Sequence, residues 1–220
     1  MRKFFYENSL TIVLLTITLV ALAGQALTGW HQFNEQQQDF GQATIGLRTY
    51  LTTGHFIESV FENWESEFLQ MGCYVMFSIW LRQKGAADSK SVDGSIEEVD
   101  REPDPTRPDV PGPVRRGGWQ LALYRRSLTL ALFGLFAVSF GLHAYGAARN
   151  HNHEEALKGK MAHETPVSIL TTSEFWFQSL ENWQSEFLSV ATLIVFSIFL
   201  RQHGSPESKP VDAPHHQTGE

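Results

Sequence analysis

Two long stretches of the chain carry no charge. Residues 10–30 read LTIVLLTITLVALAGQALTGW, and residues 127–148 read SLTLALFGLFAVSFGLHAYGAA. A helix needs about 20 apolar residues to cross the roughly 30 Å hydrocarbon core of a bilayer, so each stretch has the length of a membrane span. Two shorter apolar runs, FLQMGCYVMFSIWL at 68–81 and FLSVATLIVFSIFL at 187–200, each follow an acidic, tryptophan-bearing phrase: ENWESEFLQ at 62–70 and ENWQSEFLS at 181–189. Either run alone is too short to cross; with its phrase as the outer turns, each reaches membrane length. The pattern predicts four spans, at about 9–30, 60–82, 124–148 and 178–201.

The pattern also repeats. Residues 62–85 and 181–204 are identical at 14 of 24 positions at an offset of 119. LTT at 51 and 170 and SK at 89 and 208 keep that offset, and YENSLT at 6 matches YRRSLT at 124 with an offset of 118. Such self-similarity marks an internal repeat. Each half holds two spans, so both halves enter the membrane in the same direction. That is a parallel repeat with a pseudo-twofold axis along the membrane normal. The expected fold is all-α and integral to the membrane, with four helices in two tandem hairpins. The first repeat covers 1–84, a linker 85–118, the second repeat 119–204 and a tail 205–220. Linker and tail are rich in proline, serine and acid and are expected to be disordered. The basic start and ALA at 21–23 have the form of a signal peptide. The apolar run continues to Trp30 and has a mid-chain copy, so a retained helix is expected.

Charge sets the orientation. The chain has 220 residues and a net charge of −7. Arg2, Lys3, Arg82, Lys84, Arg115, Arg116, Arg125, Arg126 and Arg201 flank the spans on one side; Arg48, Arg149, Lys158 and Lys160 lie on the other. Positive flanks stay cytoplasmic. Both termini are therefore expected in the cytoplasm, with the chain in a bacterial inner membrane.

On a helical wheel of about 100° per residue, Glu62, Asn63, Ser66, Glu67 and Gln70 share one face, opposite Trp64, Phe68 and Met71. Glu181, Asn182, Ser185, Glu186 and Ser189 repeat that stripe, while Glu65 lies off it and its copy is Gln184. The stripe is expected to face the bundle interior, where polar groups find partners. Trp64 and Trp183 are expected to be interfacial anchors. Gln25 and His143 occupy matching positions and form a candidate intramembrane polar pair. His151, His153 and His163 are weak metal candidates, and no metal or other cofactor is expected. Cys73 stands alone, so no intrachain disulfide forms. No phosphate-binding glycine loop, nucleophile elbow or H-E-x-x-H motif occurs, so no enzyme is expected. The expected partners are the lipid bilayer and further copies of the chain in a homo-oligomer, with no nucleic acid and no identified small-molecule ligand. Two functions remain: a non-enzymatic structural or interaction protein, and a small proton- or cation-handling transporter or channel using Glu67 and Glu186.

The phrases NSLTIVLL…GQALTGW, YLTTGHF, ENWESEFLQ and LRQKG…SK resemble a family of small bacterial multi-pass membrane proteins of unknown function, with repeated NWxSEFL and LRQxG motifs. The resemblance covers nearly the whole chain. The second half departs from it at ILTTSEF and GLHA. It implies membrane localisation and helical architecture, and no chemistry.

Overall fold

The computed structural model describes residues 2–95 and 97–219. Among these the chain is all-α, with no strand. The helices are α1 (Arg2–Glu7), α2 (Ser9–Asp39), α3 (Leu47–Tyr50), α4 (Gly54–Phe77), α5 (Gly112–Arg116), α6 (Gly118–Tyr124), α7 (Ser127–Leu157) and α8 (Ser173–Phe199). Among the described helices, α2 and α7 are long and apolar enough to cross a membrane. Both have 31 residues, about 46 Å at 1.5 Å per residue. The other two expected spans fall in α4 and α8, whose first halves carry the acidic phrases.

The helices outrun the expected spans. α2 and α7 continue to Asp39 and Leu157 rather than stopping at 30 and 148, and α4 and α8 begin at Gly54 and Ser173 rather than at 60 and 178. The reason lies in the polar turns at the ends of α2 and α7. Asn34 Oδ1 accepts the backbone N–H of Ile45 at 2.8 Å, while its Nδ2 donates to the same residue's carbonyl at 3.1 Å. Asn152 does the same to Glu164, at 2.8 Å in both directions. One asparagine on an added helical turn thus satisfies both backbone groups of a returning loop residue.

Both ends then close with the same turn. Gly41 and Gly159 sit at φ +68° and +74°. Gln42 N–H bonds to the Gln37 carbonyl and Gly41 N–H to that of Gln38; Lys160 and Gly159 repeat this with Glu155 and Ala156. This is the Schellman arrangement, which needs a left-handed residue and therefore favours glycine. Further bonds recur at the offset of 119. Thr53 Oγ1 donates to the Tyr50 carbonyl and Thr172 Oγ1 to that of Ile169, both at 2.7 Å. Gln83 N–H bonds Ser89 Oγ at 2.8 Å, and Gln202 N–H bonds Ser208 Oγ at 2.9 Å.

Two compact units result: Met1–Glu62 with Phe140–Trp176, and Asn63–Ser139 with Phe177–Glu220. In the first, α4 and α7 approach to backbone contact. A methyl on Gly54 would lie 2.4 Å from Asn150 N, and one on Gly146 would lie 2.4 Å from Glu58 N. Glycine on both sides is what permits this closeness. Beside it, Ala144, Ala147, Ala148, Ile169 and Phe175 form the buried core. In the second unit the segment after α8 folds back by hydrogen bonds. The Lys209 ammonium donates to the carbonyls of Pro214, His215 and Gln217 at 2.9–3.3 Å. Thr218 Oγ1 accepts from Gly85 N–H, and Gly219 N–H bonds to the Ala86 carbonyl.

The crossing makes a specific expectation. Gly146→Ala should lower stability by roughly 1–3 kcal/mol, the cost of overpacking a close contact. Gly134→Ala, where a methyl meets open space, should not. Thermal unfolding of both variants in detergent tests this. Equal midpoints would mean that α4 and α7 are not in backbone contact.

Candidate functional site

The second unit holds most of the acidic phrases. Glu65 and Ser66 are almost fully buried, at 0% and 2% exposure, and Gln70 is buried beside them. Asn63 and Glu67 are exposed, Trp64 is half-buried, and Ser66 Oγ donates to the Asn63 carbonyl at 2.7 Å. The face of α4 turned inward therefore differs from the predicted stripe, since it includes Glu65 and leaves out Glu67 and Asn63. The cause is the partner on α8. Trp183 Nε1 donates to Glu65 Oε1 at 3.3 Å, and the indole packs edge-on to Phe136 at 6.3 Å. An indole N–H taken out of water needs an acceptor, and the Glu65 carboxylate supplies one. Trp183 is thus a packing residue in this unit as well as a candidate interfacial aromatic.

The copy on α8 is less enclosed. Asn182 and Glu186 are half-buried, whereas Glu181 and Ser185 are exposed. Glu67 lies within electrostatic range of Glu186, so the second unit does bring this duplicated pair together. Glu62 is half-buried and belongs to the first unit.

The first unit holds the histidines. Gln25 Nε2 donates to the Ser59 carbonyl at 3.0 Å, and His143, fully buried, stacks on Phe175 at 4.5 Å. The two matching polar residues thus serve different partners. His151 pairs with Glu174, with Nδ1 at 3.4 Å from Oε2; His163 is exposed. Among the described residues no group of three His, Cys, Asp or Glu could hold a metal ion.

His153 belongs instead to an aromatic cluster. Its ring stacks on Phe33 at 5.2 Å, and Phe33 also packs against Tyr50 and His55, both at 5.7 Å. Tyr50 is fully buried, and its hydroxyl lies 3.0 Å from His55 Nδ1. Burial pushes the Tyr50 phenol up to about 12. The phenol therefore keeps its proton, and one hydrogen bond joins it to the imidazole. Gly29 makes room for this phenol, since a methyl there would lie 2.2 Å from Tyr50 Oη. In the second half the matching pair is Ala147 and Ile169, which share the buried core. Burial holds both His55 and His153 below the ordinary imidazole range. The Glu154 carboxylate opposes this in both, and His153 adds to the lowering of His55. The cluster can hold a proton between phenol and imidazole.

Sequence reasoning passed over Glu65 and the Tyr50 cluster because both fall where the two halves differ. Glu65 faces Gln184, Tyr50 faces Ile169, and His55 faces Glu174 at the common offset. The departures from the repeat were the signal.

A family model described as "Domain of unknown function (DUF6766)" matches residues 1–220, and the chain belongs to that family. No curated protein and no solved structure matches it.

The histidine cluster should make stability depend on pH. The folded-state values of His55 and His153 lie below the ordinary 6.5, so the unfolded chain binds protons more readily. Stability is then present above about pH 6.5 and falls as pH drops from there toward the folded-state values. Thermal unfolding between neutral and mildly acidic pH should show this loss, and His55→Gln with His153→Gln should flatten it. An unchanged slope in the double variant would show that the cluster is not its source.

Proposed function

We propose that this family member, whose family carries no assigned activity, is a non-enzymatic structural or interaction protein of the bacterial inner membrane. In this reading the parts of α2, α4, α7 and α8 within about 9–30, 60–82, 124–148 and 178–201 are four spans in two tandem hairpins, which leaves His55 and His153 outside the membrane, with both termini cytoplasmic, lipid around the spans and a homo-oligomer as the partner. The single observation that carries it is how the polar groups within the helices are used. Gln25 is bound to Ser59 and Glu65 to Trp183, which is the behaviour of packing elements. The matched lengths of α2 and α7, their twin Schellman ends and the two asparagine clamps support the tandem arrangement.

A second reading rests on Glu67 and Glu186, which feel each other's charge. Two acids so placed could relay protons or hold a cation.

Topology and chemistry separate under test. With Cys73→Ala as background, single cysteines at Ala43, Ser95, Val167 and Asp212 are labelled with an impermeant maleimide on intact cells. Ala43→Cys and Val167→Cys should react from outside; Ser95→Cys and Asp212→Cys should react only after permeabilisation. Labelling of position 95 from outside would sink the four-span reading. Trp183→Phe should lower stability by about 1 kcal/mol, a typical net hydrogen-bond contribution. Glu67→Gln with Glu186→Gln should leave proton and cation leak of liposomes unchanged. A leak abolished by that pair would replace packing with ion handling.

A further inference from the structure

Within the second unit a cavity of about 530 Å³ lies between the C-terminal halves of α4 and α8 and the segments that follow them. Small-molecule sites run from roughly 300 to 1,000 Å³, so the volume suits one ligand of that class. The body is apolar, built by Tyr74, Phe77, Leu81, Phe187 and Ile194. The rim is charged and carries Arg82, Asp88 and Glu207. Tail-sized apolar space beneath a charged rim is the outline of an amphiphile.

The two acids are placed by the same device. Asp88 and Glu207 occupy matching positions at the offset of 119, each just before the serine of the SK pair. Ser89 Oγ takes the Gln83 N–H, and Ser208 Oγ takes the Gln202 N–H, so the same short turn presents each carboxylate. Both carboxylates act electrostatically on Tyr74, which lines the cavity. The lysines of the two SK pairs have partners of their own. Lys90 pairs with Asp100, and Lys209 is enclosed by three carbonyls. The Arg82 Nη1 group donates to the carbonyls of Ile79 and Leu81. The charged residues of the lining are thus two carboxylates and one guanidinium.

We infer that this cavity binds an ammonium-headed amphiphile, its tail along Phe77, Leu81, Phe187 and Ile194 and its head between Asp88 and Glu207. Charge-assisted hydrogen bonds from the ammonium to the carboxylates supply the selection for charge. Two sources share this chemistry: a free alkylamine and the ethanolamine headgroup of a membrane lipid, whose phosphate would fall to Arg82. The inference does not depend on the topology proposed above, because it uses α4, α8 and their flanking turns only.

The test uses the full chain in maltoside detergent and a dodecylamine carrying a terminal diazirine. Photolabelled peptides are mapped by mass spectrometry, with alkyl sulfate and alkanol probes of equal length beside it. Saturable labelling by the amine within 70–81 and 187–197 is expected. Asp88→Asn with Glu207→Gln should reduce it roughly a hundredfold, the loss of two charge-assisted contacts, and Asp88→Glu with Glu207→Asp should retain it. Ala191→Phe, which fills the cavity and keeps the charges, should also abolish labelling; circular dichroism and size exclusion establish that each variant is folded. Competition by short-chain phosphatidylethanolamine would identify the lipid as the source, and competition by dodecylamine alone the free amine. Equal labelling by the sulfate or the alkanol would overturn the inference. So would undiminished labelling of the folded Asn/Gln pair or of folded Ala191→Phe.

Discussion

The crossing of α4 and α7 at Gly54 and Gly146 fixes the first unit. Backbone there meets backbone, so neither helix can slide or turn without a clash. That register determines where the later residues of each helix fall. One residue after Gly54 comes His55, and seven after Gly146 comes His153; the fixed crossing keeps the two imidazoles within electrostatic range of one another. Tyr50 and Phe33 fill the space beside them. Arg149 reinforces the same junction by donating to the Thr52 carbonyl at 2.9 Å. A contact made by the absence of side chains thus sets how His55 and His153 are placed.

Helical class, the two longest helices and the recurrence at 118–119 residues were legible in the sequence, because apolar runs and repeated phrases are local signals. Helix ends were less so. Residues 31–39 and 149–157 are polar and read as loop, yet Asn34 and Asn152 make those turns useful by clamping a returning backbone. The buried face of α4 takes in Glu65, which lies off the wheel's stripe. A wheel weighs a helix against a uniform interior, whereas Glu65 has a specific partner in the indole N–H on α8. Glu67 feels the charge of Glu186, although Glu67 stays exposed.

Repetition was also a biased guide to sites. It directed attention to positions that match, whereas the enclosed chemistry sits at positions that do not. Tyr50, His55 and Glu65 each have a copy that cannot do the same work: isoleucine has no hydroxyl, Glu174 is not an imidazole, and Gln184 carries no charge. The paired SK segments show the opposite case. Their serines hold matching turns, while their lysines differ in partner, one taking a carboxylate and the other a ring of carbonyls. Matching positions here build the frame, and mismatched ones individualise it.

The fit of Tyr50 against Gly29 carries a historical consequence. Gly29 with Tyr50 and Ala147 with Ile169 are two settled states of one matched pair of positions. Passing from one to the other takes two substitutions, and the order is constrained. Alanine facing tyrosine would drive a methyl into the phenol oxygen, whereas glycine facing isoleucine leaves only a small void. The step through glycine–isoleucine avoids that contact, and the step through alanine–tyrosine requires the phenol to shift. A chimaera that exchanges one member of the pair between halves would carry both combinations at once, the shift in one half and the void in the other.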